Sequence, residues 1–158
     1  MNLFTWWSPA RGDNFATTKR EWAGRPGDRR TDHDGYGFVR VAGSVFNPSK
    51  PRPSGTIPLY GWWSPSRKDN FITTNPSWTG RPGVRKSPDY GFVRVEGYIY
   101  PPSKSQPSGT IPLYTWWSQR RGDYFATTQW AGRPGDRITD HDGYEFVRLE
   151  GYILKSNR

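Results

Sequence analysis

The sequence predicts an all-β domain made of three internal repeats in a β-trefoil-like arrangement, and three observations support this. One residue pattern occurs three times along the 158-residue chain. The segments between turn signals are short and rich in β-branched and aromatic residues, as in GFVRVEGYIY at residues 91–100. No segment has a sustained helical period, and 18 glycines and 15 prolines indicate many turns.

The repeats cover residues 3–58, 59–112 and 113–158 of a single domain, 1–158. Each begins with L-[FY]-x-W-W-S, continues through D-[NY]-F-x-T-T and W-x-G-R-P-G, and closes on F-V-R and a following glycine. The set begins at the first strand and lacks a last Pro/Ser-rich joint, which predicts a closed ring. With about four short strands per repeat we expect a pseudo-threefold β-trefoil, or alternatively a β-prism or a compact propeller-like ring.

Composition narrows the classes of function. The chain is 32% apolar with mean hydropathy −0.93, yet 16% aromatic, so its core must rely on Trp, Tyr and Phe. The absence of cysteine excludes disulfides and thiolate zinc sites. No apolar run has membrane-spanning length, and the first residues lack a signal-peptide core, so we expect a protein not exported by that route or a mature form. The net charge of +9 would attract anionic surfaces, although scattered charge for solubility explains it equally well.

Each repeat contains two adjacent tryptophans on a predicted strand. Neighbouring side chains of a strand point to opposite faces, so a single core-facing surface does not take both. Leu3, Leu59 and Leu113 share a strand face with the second tryptophan of each pair. If that face is directed toward the core, the second tryptophan fills the core and the first lies outward beside an aromatic residue. The inward set is Trp7, Trp63 and Trp117, and the outward set is Trp6, Trp62 and Trp116. The outward set predicts three plates on which a sugar ring stacks; the alternative is that this row is also buried.

Two further elements supply candidate binding residues. An acidic residue is followed by an amide or a phenol in each repeat, as Asp13, Asn14, Asp69, Asn70, Asp123 and Tyr124. Asp with Asn offers paired acceptors and donors for vicinal hydroxyls, although an Asx-turn explains the same residues. The W-x-G-R-P-G element adds Trp22, Arg25, Trp78, Arg81, Trp130 and Arg133. These arginines either hydrogen-bond a ligand or stack on the neighbouring indole, and stacking is favoured.

Several other motifs carry little chemistry. The DHDG segments at 32–35 and 140–143 lack the remaining calcium ligands, and His33 and His141 have no third zinc ligand in view. We therefore predict no metal and no cofactor. Arg94 with Glu96, and likewise Arg148 with Glu150, are expected to form exposed ion pairs of little energetic weight. An enzyme normally needs one asymmetric set of dissimilar groups, whereas triplicated residues favour multivalent binding.

The string L-Y-x-W-W-S-P-x-R-x-D-N-F-x-T-T at residues 59–74, with E-G-Y-I-Y at 96–100, resembles a repeat family of secreted bacterial and fungal proteins. That family has a pattern close to L-Y-R-x-Y-N-P-x-x-G-D-H-F-Y-T-T, often three times, beside cell-wall or glycan-active modules. Here Trp-Trp replaces an aromatic residue and Tyr, and Asn14, Asn70 and Tyr124 replace the histidine. The resemblance implies a threefold β-repeat, an accessory glycan-binding role and a secreted or cell-surface location.

These observations together predict a non-catalytic, lectin-like protein with up to three equivalent sites for cell-surface or cell-wall glycans. A nucleic-acid or anionic-polymer binder is the first alternative, less favoured because the basic residues form no run. A toxin or antimicrobial protein that docks on a surface, and a structural scaffold of natural or engineered origin, are the others.

Overall fold

The predicted all-β class is confirmed. The computed structural model describes residues 1–9, 11–19, 36–65, 69–75, 90–129 and 143–156, together with the backbone of 29–30, 85–86 and 137–138. All regular secondary structure in these residues is β. No helix in this part of the chain is long and apolar enough to cross a membrane.

The described residues form twelve strands, four from each predicted repeat. The first repeat contributes β1 (Asn2–Ser8), β2 (Asp13–Thr17), β3 (Arg29–Arg30) and β4 (Tyr36–Ser44). The second contributes β5 (Ile57–Ser64), β6 (Asp69–Thr73), β7 (Arg85–Lys86) and β8 (Tyr90–Ile99). The third contributes β9 (Thr110–Ser118), β10 (Asp123–Thr127), β11 (Arg137–Ile138) and β12 (Tyr144–Leu154).

Pairing is antiparallel and follows one scheme in every repeat. The first strand pairs with the second and the fourth, and the third pairs with the fourth. The second repeat is a separate sheet of order β6-β5-β8-β7, while a Leu154–Ser44 pair joins the other two into one sheet. Among the described strands these two sheets do not close a barrel.

The fourth strand of each repeat contains two β-bulges. In β8, Phe92 pairs with Trp62 and Arg94 with Gly61, which leaves Val93 as an extra residue. Glu96 is extra in the same way, between residues that pair with Tyr60 and Leu59. The corresponding extra residues are Val39 and Ala42 in β4, and Val147 and Glu150 in β12. A bulge interrupts the alternation of side chains, so residues two apart across it no longer share a face.

One central core is shared by all three repeats. It is an aliphatic cluster that consists of Leu3, Ala16, Ala42, Val45, Leu59, Ile72, Ile99, Leu113, Ala126 and Ile153. Beside it lie three aromatic clusters, one for each repeat, which are centred on Trp6, Trp62 and Trp116. Because the aliphatic residues come from every repeat, no repeat buries the central core by itself.

Three glycines allow the repeats to approach one another closely. A Cβ on Gly97 would lie 2.8 Å from the backbone oxygen of Phe46 and closer still to the Val45 side chain. A Cβ on Gly43 would likewise lie 2.6 Å from the Ile153 side chain, and a Cβ on Gly151 would lie 2.9 Å from the Ile99 side chain. Each repeat therefore takes a side chain from another repeat at the position where its fourth strand has a glycine.

Gly97→Ala should destabilise the protein by overpacking. We expect a loss of about 1–3 kcal/mol, which lowers Tm by about 2–4 °C per kcal/mol in a chain of this size. Gly91→Ala is the matched control in the same strand, because its Cβ would meet only the Trp63 oxygen at 4.0 Å. Thermal unfolding of both variants checks this, and equal Tm values would contradict the close approach at Gly97.

Candidate functional site

The prediction that Trp6, Trp62 and Trp116 lie outward is wrong. These three indoles are at most 1% exposed. Each is covered by the phenylalanine that pairs with it on the fourth strand, as in the edge-on contact of Trp6 with Phe38 at 5.6 Å. Both faces of the first strand are thus covered, the leucine face by the aliphatic core and the tryptophan face by aromatic rings. The buried alternative considered from the sequence is the observed one.

The second tryptophan of each pair is half-buried, and so it does not fill the core as predicted. Trp7 lies on the face of Leu3, but near the end of the strand, and it is absent from the aliphatic cluster. The Arg121 guanidinium carbon stands 5.0 Å from the ring centroid of Trp7, and that of Arg11 stands 5.3 Å from Trp63. Trp7 and Trp63 are therefore partly exposed indoles that each lie under a cation from another repeat, whereas Trp117 packs against Tyr124 at 4.4 Å.

The aspartates of the D-[NY]-F motif converge from all three repeats. Asp13, Asp69 and Asp123 begin the second strands and are buried, and one carboxylate oxygen of each lies within 4.8 Å of the others. The sequence places these residues more than fifty positions apart, so only the packing of the three repeats brings them together. They face one another and not the solvent.

Hydrogen-bond donors surround this carboxylate cluster. Tyr36, Tyr90 and Tyr144, which begin the fourth strands, each donate a short hydrogen bond to the aspartate of their own repeat.

The neighbouring repeat also donates to each aspartate. Asn14 donates its backbone N–H and its amide to Asp123, at 3.1 and 2.8 Å. Asn70 donates its amide to Asp13 at 3.2 Å, and Tyr124 donates its backbone N–H to Asp69 at 3.2 Å. The predicted Asp–Asn pairs thus bind one another across repeat boundaries.

Burial and mutual repulsion change the acidity of this cluster. Burial raises the pKa of Asp69 and of Asp123 well above the usual value, and the neighbouring carboxylates raise both further. Burial and the adjacent Asp13 raise the pKa of Tyr36, so its hydroxyl remains a donor at all ordinary pH values. Three ionised carboxylates in one buried place need compensation by protons or by a cation.

The glutamates predicted to form exposed ion pairs are buried, so that prediction is wrong. The bulge directs Glu96 toward the first repeat, where its Oε1 accepts hydrogen bonds from the backbone N–H and the hydroxyl of Thr18, both at 2.8 Å. Glu150 accepts in the same way from the backbone N–H of Thr74, at 2.8 Å. The arginines two residues earlier remain about one-third exposed, with N–O distances of 3.6 and 3.5 Å.

The first repeat holds its neighbour without a glutamate. Ala42 stands at the bulge position, and its backbone oxygen accepts a hydrogen bond from the Thr128 hydroxyl at 3.1 Å. Arg40 donates to the same hydroxyl at 3.3 Å. The backbone carbonyl at the bulge accepts a hydrogen bond from a threonine hydroxyl of a neighbouring repeat in every case, and in the first repeat Arg40 takes the place of the carboxylate.

An open cleft of about 440 Å³ lies between the first and second repeats. Its walls are β2 on one side and β5, β6 and β8 on the other, and Val93, 54% exposed, stands at its rim. Gly61 lies in its wall, where the corresponding residues of the other repeats are Thr5 and Thr115. The Thr115 hydroxyl donates to Glu150 at 2.6 Å, and Gly61 has no such group to place beside Glu96.

Two buried donors in the cleft lining have no hydrogen-bond partner. One is the indole Nε1–H of Trp62, and the other is Nη1 of Arg94, which lies 3.6 Å from the Glu96 carboxylate. Buried donors are normally paired, so each unpaired donor indicates a group that a ligand is able to satisfy. Trp6 Nε1 also lacks a hydrogen-bond partner, so the cleft is distinguished by Gly61 and by the buried Nη1 of Arg94.

The remaining predicted site residues lie outside the described residues. They are Trp22, Arg25, Trp78, Arg81, Trp130 and Arg133, together with the DHDG segments and both histidines. Sequence analysis missed the bulge valines, the buried glutamates and Gly61. A comparison of the three repeats position by position would have singled out Gly61, since it replaces a threonine.

Comparison with protein-family models, with curated protein sequences and with solved structures gives no match for this chain. In its described residues the chain is an all-β protein with a buried carboxylate cluster and an open cleft between repeats.

Trp62→Ala and Trp63→Ala should separate the buried indole from the half-buried one. Removing Trp62 empties an aromatic cluster and should cost about 3–5 kcal/mol. Removing Trp63 loses partial burial and one cation–π contact, which should cost at most about 2 kcal/mol. Urea unfolding of both variants measures the difference, and a larger loss for Trp63→Ala would refute the observed orientation.

Glu150→Ala should destabilise the protein far more than Arg148→Ala. The glutamate change leaves the buried donors of Thr74 and Thr115 without an acceptor, at a cost of about 3–5 kcal/mol. The arginine change removes only a partly exposed ion pair, worth about 1 kcal/mol or less. Glu150→Gln keeps one acceptor oxygen and should fall between them in chemical denaturation. Equal losses of stability for Glu150→Ala and Arg148→Ala would mean that the ion pair, and not the threonine hydrogen bonds, holds the repeats together.

Proposed function

We propose that this protein is a non-catalytic carbohydrate-binding protein and that the cleft beside Gly61 binds one sugar residue of a glycan. The observation that carries the proposal is the combination, in one open cleft, of unpaired buried donors with apolar side chains. The proposal differs from the one based on sequence, because it uses Trp62 as a donor and not as a stacking plate.

The polar lining of the cleft supports a ligand rich in acceptor oxygens. Trp62 Nε1–H and Arg94 Nη1 are donors with no hydrogen-bond partner, although Nη1 forms an ion pair with Glu96 Oε1 at 3.6 Å. The Glu96 carboxylate also lies beside Gly61. A sugar hydroxyl accepts from the first kind of group and donates to the second, which is why sugars suit mixed linings of this type.

The apolar lining supports a ring with one hydrophobic face. The half-buried ring of Phe15 and the exposed side chain of Val93 stand on opposite sides of the cleft, one from each repeat. The C–H face of a pyranose stacks on an aromatic ring with about 1 kcal/mol of favourable energy. Specificity would then come from the fixed donors and the carboxylate.

We also propose that the three repeats are arranged around a pseudo-threefold axis. Support comes from the convergence of the three aspartates and from the exchange of glycine contacts among the repeats. Of the architectures expected from the sequence, the prism-like or propeller-like ring is better supported than the β-trefoil. Each repeat pairs its own four strands, and the six-stranded barrel of a trefoil would need the first and fourth strands of different repeats to pair throughout.

Binding of anionic polymers is the second candidate. The specific observation that favours it is the pairing of half-exposed indoles with guanidinium groups, Trp7 with Arg121 and Trp63 with Arg11. Aromatic rings interleaved with basic side chains bind single-stranded nucleic acid by stacking and phosphate neutralisation. Such binding weakens steeply as salt rises, whereas neutral-sugar binding changes little.

Gly61→Thr should abolish glycan binding and leave the fold intact. A Cβ at this position would lie 3.3 Å from Glu96 Oε2, and a threonine occupies the same position in the third repeat. The hydroxyl would fill the cleft and could add a hydrogen bond to Glu96 worth about 1 kcal/mol. A glycan array at low and high salt, followed by calorimetry on the best sugar, compares the variant with the wild type.

Thr115→Val is the matched control, since it removes the same hydroxyl from another repeat, keeps that position filled and leaves the cleft untouched. Its glycan binding should equal that of the wild type. Full binding by Gly61→Thr would exclude the cleft as the site. Absence of any glycan signal, with tight and salt-sensitive DNA binding, would establish the second candidate instead.

A further inference from the structure

We propose that Asp13, Asp69 and Asp123 bind one calcium ion at the place where the three repeats meet. The three carboxylates are buried and converge within 4.8 Å, one from each repeat. This site is separate from the sugar cleft, and neither proposal depends on the other.

The groups around the cluster are donors. Tyrosine hydroxyls, asparagine amides and backbone N–H groups all direct hydrogen atoms toward the aspartate oxygens. A protonated member of the cluster would have to donate to one of the other two aspartates, because the groups around the cluster are themselves donors. They favour the ionised form, and they hold the outer lone pairs in the way that outer groups orient the ligands of a bound metal. The mutual repulsion of three adjacent carboxylates is then relieved by protons shared among them or by a cation.

One oxygen of the cluster has no partner. Asp13 is 1% exposed, and its Oδ2 accepts hydrogen bonds from Tyr36 and Asn70. Its Oδ1 is buried and accepts from nothing among the described residues. A buried carboxylate oxygen without a donor is costly, and a bound cation would satisfy it.

The size and chemistry of the cluster favour calcium. Three oxygens at the corners of a triangle with 4.8 Å edges are about 2.8 Å from its centre, which is the upper limit here. A small contraction reaches the 2.3–2.6 Å of calcium–oxygen bonds, whereas magnesium needs about 2.0–2.1 Å and near-ideal octahedral geometry. The ligands are all oxygen, which disfavours zinc and copper.

Such an ion would act as a structural bond between the repeats. Each ligand comes from a different repeat, so binding would stabilise the folded chain and not the unfolded one. With free calcium about 100-fold above Kd, mass action should raise Tm by about 5–10 °C for a chain of this size.

The test uses the full chain after removal of metal with EDTA. Calorimetric titration with calcium chloride alone should give one ion per chain, and Tm should rise on return of calcium. Terbium should bind in the same place and luminesce through energy transfer from nearby tyrosine and tryptophan rings, and calcium should quench the signal by displacement. No calcium binding, with the same Tm in EDTA and in calcium, would overturn the proposal.

Asp13→Asn tests the location of the ion. It removes the charge of the free oxygen and keeps an acceptor for Tyr36, and we expect calcium affinity to fall at least about tenfold, as for loss of a ligand or its support. Glu145→Gln, a carboxylate elsewhere on the third repeat, should bind as the wild type does. If Asp13→Asn fails to fold, the terbium signal of the wild type still decides the matter. Unchanged calcium binding by folded Asp13→Asn would place the ion elsewhere and overturn the assignment.

Discussion

A β-bulge puts one more residue on a strand than on its partner, and in this protein it does so twice in every fourth strand. The bulges at Glu96 and Glu150 direct these side chains toward the threonine pairs of neighbouring repeats, where Oε1 of each accepts a hydrogen bond from a threonine backbone N–H. The other bulge of β8, at Val93, leaves that side chain exposed beside the cleft. The glycine that follows the bulge residue at Ala42, Glu96 or Glu150 leaves space for a side chain from another repeat. One irregularity of the backbone thus determines how the repeats join and what the cleft presents to solvent.

The strands and the repeat organisation could be predicted because their signals are local: turn residues, β-branched runs and one recurring pattern. The orientation of the tryptophans could not, because the alternation rule gives two faces and does not say that both are covered. Trp62 is buried by Phe92, on a different strand, and only the pairing register brings the two together. The burial of Glu96 depends on a bulge, and a strand with alternating residues gives no local sign of one. The convergence of the aspartates needs the packing of all three repeats.

The carboxylate cluster is built from residues that all three repeats share, whereas the cleft depends on a residue that differs between them. The carboxylate cluster uses what the repeats share, since each supplies an aspartate and a tyrosine at the same position. The cleft uses a difference, because Gly61 replaces a threonine that fills the corresponding position in the third repeat. A shared position suits a group that joins the repeats, and a unique position suits a ligand that needs an asymmetric surface.

The glycine contacts have a consequence for how the chain is made. The Ile153 side chain of the third repeat packs against Gly43 of the first. A nascent chain that ends after two repeats therefore lacks the residue that covers Gly43. Contacts across so many residues slow folding, because the loop between them must close before the contact contributes. We therefore expect the first two repeats to lack this contact until the third has been synthesised.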